Sequence, residues 1–163
     1  CAGSLGLGRV GQAVTAVLAA GPQVQAVAVC GRNEELREEL AGRGAPPWRL
    51  SVLGWTDDMP GWMIAADVVV GNAGGATGLE ALACGRPLVM FDPIAGHGRA
   101  NAQLMASAGV AVLAQSSAEL TDAIRRLIAD PTVCGGQAVA ALAAAAGRRR
   151  EDDLAGLAAM AGR

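Results

Sequence analysis

The chain has 163 residues, of which 52% are hydrophobic and 17% charged, with a formal net charge of −2 at neutral pH. That length suits one domain with a sizeable core, and that composition excludes a disordered tail. With no basic excess, and only one phenylalanine and three tryptophans as aromatics, a base-stacking nucleic-acid platform is also excluded.

In chain order, the first feature is a glycine loop, GSLGLGRVG, in which Gly6-x-Gly8-x-x-Gly11 spells the dinucleotide fingerprint. Apolar spacing predicts a helix over 10–20, a strand over 24–29, a helix over 34–41 and a strand over 50–53. The alternation continues with a helix over 60–66, a strand over 67–70, a helix over 78–84 and a strand over 87–91. A helix over 100–108 and a strand over 110–113 follow, then helices over 118–129, 137–146 and 154–161. Short, continuously apolar strands alternating with helices imply a parallel sheet covered on both faces. The expected fold is therefore α/β: one doubly wound, Rossmann-like, mostly parallel sheet with helices on both faces. Only Cys1 and Ala2 precede the glycine loop, so the first strand of the order 3-2-1-4-5-6 is expected to be largely missing. Residues 1–163 read as a single domain, with 135–163 a helical tail.

Cys1, Cys30, Cys84 and Cys134 show no CxxC spacing and form no ligand cluster with His97, so buried free thiols in a reducing compartment are expected. No signal peptide is recognisable, and the Ala-rich run 138–146 falls short of the roughly 20 residues that cross a bilayer. The expectation is a cytoplasmic chain that at most touches the membrane from one side. Arg148-Arg149-Arg150 is followed by Glu151-Asp152-Asp153 and reads as a solvated, self-paired turn.

Ligands of such folds bind outside the carboxyl ends of the strands. Segments 3–8, 31–32, 54–58, 71–77 and 92–101 all fall on that rim. A dinucleotide site needs an acid at the end of the second strand, and Val29-Cys30-Gly31-Arg32-Asn33 offers none. Arg32 could serve an NADP version, yet nothing downstream supplies the acid/base group that hydride transfer requires. The richer stretch is VGNAGGATGLEALACGRPLV, residues 70–89. A strand ends near Gly71, Gly74 and Gly75 admit close backbone approach, and a helix starts near Thr77. Free N–H groups at a helix start bind phosphate, and Glu80 lies one turn on, within reach of an attached ribose. Thr77-x-x-Glu80 is equally a capping box, but a plain cap does not require the glycine pair. Gly85-Arg86-Pro87 stops the helix.

GWTDDM at 54–59, ADVVVGNAGGATGLEA at 66–81, GRPLV at 85–89 and Asn101 together resemble the C-terminal, donor-binding half of GT-B glycosyltransferases. The nearest branch resembles the lipid-acceptor enzymes, monogalactosyldiacylglycerol synthase and the peptidoglycan UDP-N-acetylglucosaminyltransferase. The resemblance covers roughly residues 1–113, and it makes the GxGxxG spelling of the first loop incidental. It implies a UDP-sugar donor, an inverting transfer of a hexosyl unit to a lipid-linked acceptor hydroxyl, and a general base in an N-terminal acceptor domain absent from this chain. That half would be supplied upstream or by a partner chain. The resemblance implies that Gly3 and Ser4 approach the diphosphate and that backbone at Trp55 and Thr56 borders the uracil. It also implies that Gly74, Gly75, Ala76 and Thr77 cradle the phosphates and that Glu80 takes the ribose hydroxyls. The loop from His97 through Arg99 to Asn101 would meet the sugar. No cofactor and no bound metal are implied, and contact with the membrane would be peripheral.

The chain departs from the family pattern at Asn72, where the relatives often carry a basic residue, which leaves Arg99 and Arg32 as candidates to neutralise phosphate. At Gly98 the galactolipid synthases resemble one another in having an acid, so the sugar stays open. His97 donates to the sugar or phosphate, or is a structural or solvent-facing histidine. Asp57-Asp58 reads as a helix N-cap rather than a metal pair, and Trp62 and Met63 read as packing. Two rivals stand beside this reading: a UDP-sugar 2-epimerase on the same two-domain plan, and a non-enzymatic nucleotide-sugar-binding subunit that completes its site with a partner chain.

Overall fold

The computed structural model describes residues 1, 3, 5–72 and 76–130. Strands and helices alternate as α1 (Val10–Leu18), β1 (Ala26–Val29), α2 (Glu34–Ala41), β2 (Leu50–Leu53), α3 (Met59–Ala65), β3 (Val69–Gly71), α4 (Ala76–Ala83), β4 (Leu88–Phe91), α5 (His97–Ser107), β5 (Ala111–Ala114) and α6 (Ser117–Ala129). The predicted helices over 137–146 and 154–161, the tail 135–163, Cys134 and the arginine run at 148–150 lie outside the described residues.

All strand pairing is parallel, as continuously apolar strands demand. Among the described residues it falls into two pieces, β1 with β2 and β3-β4-β5. An apolar cleft of about 540 Å³ separates them, lined by β1 on one side and β3 on the other. This is the strand order expected, with the place of the first strand left as a gap.

β4 shows why both faces of the sheet are covered. Leu88 and Met90 pack with Met63 of α3, Leu82 of α4 and Met105 of α5. Val89 and Phe91 point the other way, onto Ala16 of α1 and Leu120, Ile124 and Leu127 of α6. Alternate residues of a strand face opposite sides, so four consecutive apolar residues fill two cores. The third cluster joins Val10 and Val14 of α1 with Leu40 of α2 and Ala28, Cys30 and Leu50. Helix ends follow local chemistry. Asn33 caps α2 by accepting from the Leu36 N–H, and Ser116 caps α6 by accepting from Glu119 N–H. After α4, Gly85 at φ +64° lets its own N–H reach Leu82 O and that of Arg86 reach Ala81 O, a Schellman ending.

Two packing expectations need correction. Of the described thiols, only Cys30 is fully buried, while Cys1 and Cys84 are partly exposed. Met63 is core, but Trp62 remains substantially exposed and lines the cleft, because it faces the gap rather than a neighbouring strand.

Candidate functional site

The strands are all parallel, so the segments that follow β1 to β4 share one rim, and the first glycine loop joins them. Gly6 and Gly8 sit at φ +58° and +94°. A Cβ on Gly6 would lie 2.5 Å from Cys30 O, and one on Gly8 would lie 2.1 Å from Asn72 Nδ2. At Gly11 it would lie 2.2 Å from Arg43 Nη2, and Arg43 donates to Gly11 O and to Thr15 Oγ1. Gly6 and Gly8 are therefore accounted for by their positive φ and by contacts within the protein, whereas at Gly11 the flexible end of Arg43 could move aside. The GxGxxG spelling then carries no separate demand for a dinucleotide.

Two asparagines hold this loop by its carbonyls. Asn33 Nδ2 donates to Gly6 O at 3.2 Å while its Oδ1 caps α2. From the other side Asn72 Nδ2 donates to Leu7 O at 2.5 Å. Asn72 is 7% exposed, and its Oδ1 has no hydrogen-bond partner among the described residues. It is a buried clamp on the first loop, not a charge-bearing position at the surface. Sequence reasoning missed both clamps. Asn33 gave a local signal, being followed by two glutamates at a helix start, whereas Asn72 gave none.

Beyond β1, the Arg32 guanidinium lies 4.4 Å from the centre of the Trp55 ring, a cation–π pair. Trp55 is 51% exposed, and its Nε1 donates to Asp57 Oδ1 at 2.8 Å. Thr56 Oγ1 accepts from the Asp58 N–H, and Asp58 Oδ1 accepts from Gly61 N–H at 3.0 Å, capping α3. Asp58 thus has the N-cap role expected of it, and Trp55, with Arg32 over its ring, stays about half exposed on the rim.

Beyond β3, residues 73–75 lie outside the described residues, Gly74 and Gly75 among them, as does Ser4 of the first loop. Helix α4 begins by Ala76, so Thr77 already has a helical backbone and is not the N-cap. The capping-box alternative for Thr77 and Glu80 is therefore overturned, since a box requires its Thr at the cap. Glu80 is exposed, and its carboxylate makes no hydrogen bond or ion pair with a described residue.

Beyond β4, Asp92 has φ +44°, the one positive value at a non-glycine among the described residues. Arg9 Nε donates to Asp92 Oδ2 at 2.6 Å, and this bond holds the Asp92 carboxyl below the ordinary carboxylate range. The Arg9 guanidinium also stacks on Phe91, 5.7 Å from its ring centre. Ile94 N–H donates to Asn72 O at 3.1 Å, which ties this segment to the end of β3. Residues 97–101 are not a loop, as expected from sequence, but the opening turns of α5. Gly96 at φ +82° makes the bend, and Gly98 fits against Ile94, where a Cβ would stand 3.3 Å from Ile94 Cβ. Arg99 and Asn101 are exposed on these turns. Gly3, with φ +63°, opens the first loop, and nothing stands within 4 Å of where its Cβ would be.

The rim thus joins the first loop to the ends of β1, β3 and β4 by direct bonds. The 54–58 segment is linked to the end of β1 through Arg32 and Trp55. Arg9 is neutralised by Asp92 and Arg32 is engaged on Trp55, which leaves Arg99 as the exposed cation of α5's first turn. No cluster of three or more metal-ligating side chains occurs among the described residues, and no helix there is long and apolar enough to cross a membrane.

Comparison with known proteins gives one consistent result. A family described as glycosyl transferases group 1 matches residues 5–130. The processive diacylglycerol beta-glucosyltransferase of Staphylococcus carnosus is 32% identical over 117 residues, covering 72% of this chain and 30% of that protein. Monogalactosyldiacylglycerol synthase 3, chloroplastic, of Arabidopsis thaliana is 34% identical over 100 residues, 60% of this chain and 21% of that protein. The crystal structure of Anabaena HepE in complex with UDP superposes with a TM-score of 0.68 at 26% identity, over 85% of this chain and 40% of that one. The chain therefore spans between about a fifth and two fifths of the length of these relatives, and the doubly wound α/β fold read from the sequence is the fold found.

Proposed function

The chain belongs to the group 1 glycosyl transferases, and we propose that it is the donor-binding half of a UDP-dependent, inverting hexosyltransferase with a lipid-linked acceptor hydroxyl. The observation that carries this reading is the rim itself, where a glycine loop is clamped by Asn72 at the end of β3 and a carboxylate with no partner among the described residues stands one turn into the helix that follows. The relatives named as diacylglycerol glucosyltransferase and galactolipid synthase, and the UDP complex of HepE, support the donor and acceptor classes.

On this reading Gly3 and Ser4 approach the diphosphate, and Gly74, Gly75, Ala76 and Thr77 cradle it with the N–H groups of the α4 start. The exposed face beside Trp55 and Thr56 borders the uracil. Glu80 accepts from the ribose hydroxyls, and the lack of a partner for its carboxylate among the described residues supports that role. His97, Arg99 and Asn101, on the first turns of α5, meet the sugar, and Arg99 offsets phosphate charge. Helix-start amides aimed at the departing UDP stabilise the charge that develops on it, and they cost no reorganisation at the moment of transfer. The general base that deprotonates the acceptor must come within about 2.6–3.2 Å of its hydroxyl. Asp57 and Asp58 are engaged in the α3 turn and Asp92 with Arg9, so the base belongs to an acceptor-binding half outside these residues. The enzyme works at the cytoplasmic membrane face, held there peripherally.

The Glu80→Gln variant tests the site. A charged hydrogen-bond acceptor to two hydroxyls predicts a loss of about 1.5–3 kcal/mol in UDP affinity. Because the Glu80 carboxylate caps no described residue, melting should stay within about 0.5 kcal/mol of the parent. Unchanged UDP affinity in calorimetry would remove Glu80 from the ribose site.

A further inference from the structure

Strands β1 and β2 are parallel neighbours, so the segments that follow them leave the sheet side by side on the rim. Gly31, at φ +62°, bends the chain after β1, and the next two side chains then part. Asn33 holds the first loop through Gly6 O and caps α2. Arg32 lies instead over the residue that follows β2, its guanidinium carbon 4.4 Å from the centre of the Trp55 ring. Trp55 is fixed in its turn, because its Nε1 donates to Asp57 Oδ1 in the bend that opens α3. A contact with the face of a ring attracts a cation without using any of its N–H groups. Arg32 differs here from Arg9, Arg37, Arg43, Arg49 and Arg125, each of which donates to an acceptor of the chain. It is exposed and makes no hydrogen bond or ion pair with a described residue, yet the ring gives its guanidinium a defined place.

We propose, building on the donor-site reading above, that Arg32 selects the nucleobase: it donates to the 4-carbonyl oxygen of uracil, and the Trp55–Asp57 pair holds it there. Position is the first support. The guanidinium lies at the end of β2, beside the Trp55 and Thr56 backbone that borders the base on that reading. The phosphate cradle of the same reading follows β3, on the far side of the cleft from β1 and β2. Chemistry is the second. A guanidinium donates and never accepts. Uracil presents a carbonyl oxygen at its 4-position, whereas cytosine carries an amino group there, itself a donor. A donor fixed at that point pairs with uracil and meets cytosine donor to donor, so the site rejects the wrong base as well as holding the right one. A phosphate contact would carry no such discrimination, because every nucleoside diphosphate has the same phosphates. The planar fork matters too, since a lysine ammonium is a point charge on a flexible stem and would not be held in one orientation by the ring.

Calorimetry of the 163-residue chain, Arg32→Ala and Arg32→Lys with UDP and with CDP tests this. The parent should bind UDP at least about tenfold more tightly than CDP. Arg32→Ala should weaken UDP by about tenfold or more, the scale of a charge-assisted hydrogen bond, and leave CDP within about threefold. Selectivity between the two then largely disappears. Arg32→Lys keeps the charge and loses the fork, so its selectivity should resemble that of Arg32→Ala. Because Arg32 is exposed, both variants should melt with the parent. Equal losses of UDP and CDP affinity in Arg32→Ala, recovered in Arg32→Lys, would overturn the proposal and make Arg32 a counter-charge to phosphate. Unchanged binding of both nucleotides would overturn it as well, as would a parent that binds the two equally. In each of these cases the parent still binds UDP, so the donor-site reading survives. A parent that binds neither nucleotide would overturn that reading, and this proposal with it.

Discussion

The two pieces of the sheet are built from the same kind of strand and differ in how many neighbours each strand has. In the β3-β4-β5 piece, β4 is hydrogen-bonded on both sides, and Leu88, Val89 and Met90 are 0% exposed. In the β1-β2 piece, β1 is bonded on one side only, and Val27 is 45% exposed although it lies in the middle of its strand. The first glycine loop issues from between the two pieces. It is therefore held by side chains, Asn33, Asn72 and the Arg9–Asp92 pair, rather than by a continuous ladder. The strand enclosed on both sides lies in one piece, and the geometry of the candidate donor site depends on pins that reach across to the other.

The largest expected effect lies where that contrast is sharpest. Met90→Ala removes a fully buried side chain between α4 and α5 and should cost about 2–5 kcal/mol in chemical denaturation. Val27→Ala, in the one-sided strand, should cost less than about 1 kcal/mol. Comparable losses for the two would erase the distinction between the pieces.

The pins come next. Asn33→Ala removes both a helix cap and the bond to Gly6 O, and it should cost about 0.5–2 kcal/mol in stability. Asn72→Ala gives up the bond to Leu7 O but also removes the unsatisfied Oδ1, and these two terms oppose each other. Its stability cost should be the smaller of the two, about 1 kcal/mol or less, while the exchange of loop amides at Leu7 and Gly8 should rise. A larger loss of stability from Asn72→Ala than from Asn33→Ala would contradict the view that Asn72 serves the loop rather than the core.

The smallest effect belongs to the Arg9–Asp92 pair, about half exposed on one partner and a third on the other. The Asp92 carboxyl is held below its ordinary value by Arg9. Its contribution is therefore complete above the ordinary carboxylate range and is lost as pH falls through the lowered value. Stability curves of the parent and Asp92→Asn should differ slightly at neutral pH and converge in acid. The gap should also close in high salt, because exposed pairs are screened. A gap that widens in acid would reverse the sign of this account.

Much of the fold was legible because strand signals here are local. The run Leu50–Leu53 is a strand in the predicted place, and every other strand was found within two or three residues, since four or five apolar residues between turn formers have few alternatives. The start of α5 was less legible. His97 and Gly98 are weak helix formers, and the helix begins there because Gly96 makes the bend and Gly98 packs on Ile94. Those are tertiary causes. The capping-box alternative at Thr77 failed for a related reason, as one helical residue ahead of Thr77 changes its role without altering the motif. Asn72 was hardest to read. An asparagine after a strand looks like any turn residue, and only the fold brings the first loop's Leu7 carbonyl to its amide. The candidate ligand residues were legible chiefly through family likeness, whereas the physics of the rim explains what holds them in place.

The central claim, that this rim binds a uridine diphosphate sugar, is tested most directly by calorimetry of the 163-residue chain with UDP, UDP-glucose, NAD and NADP under one set of conditions. The account predicts saturable binding of UDP and UDP-glucose, with NAD and NADP at least about tenfold weaker, a difference of about 1.4 kcal/mol or more. A preference for NADP, or no binding of either uridine ligand, would contradict it.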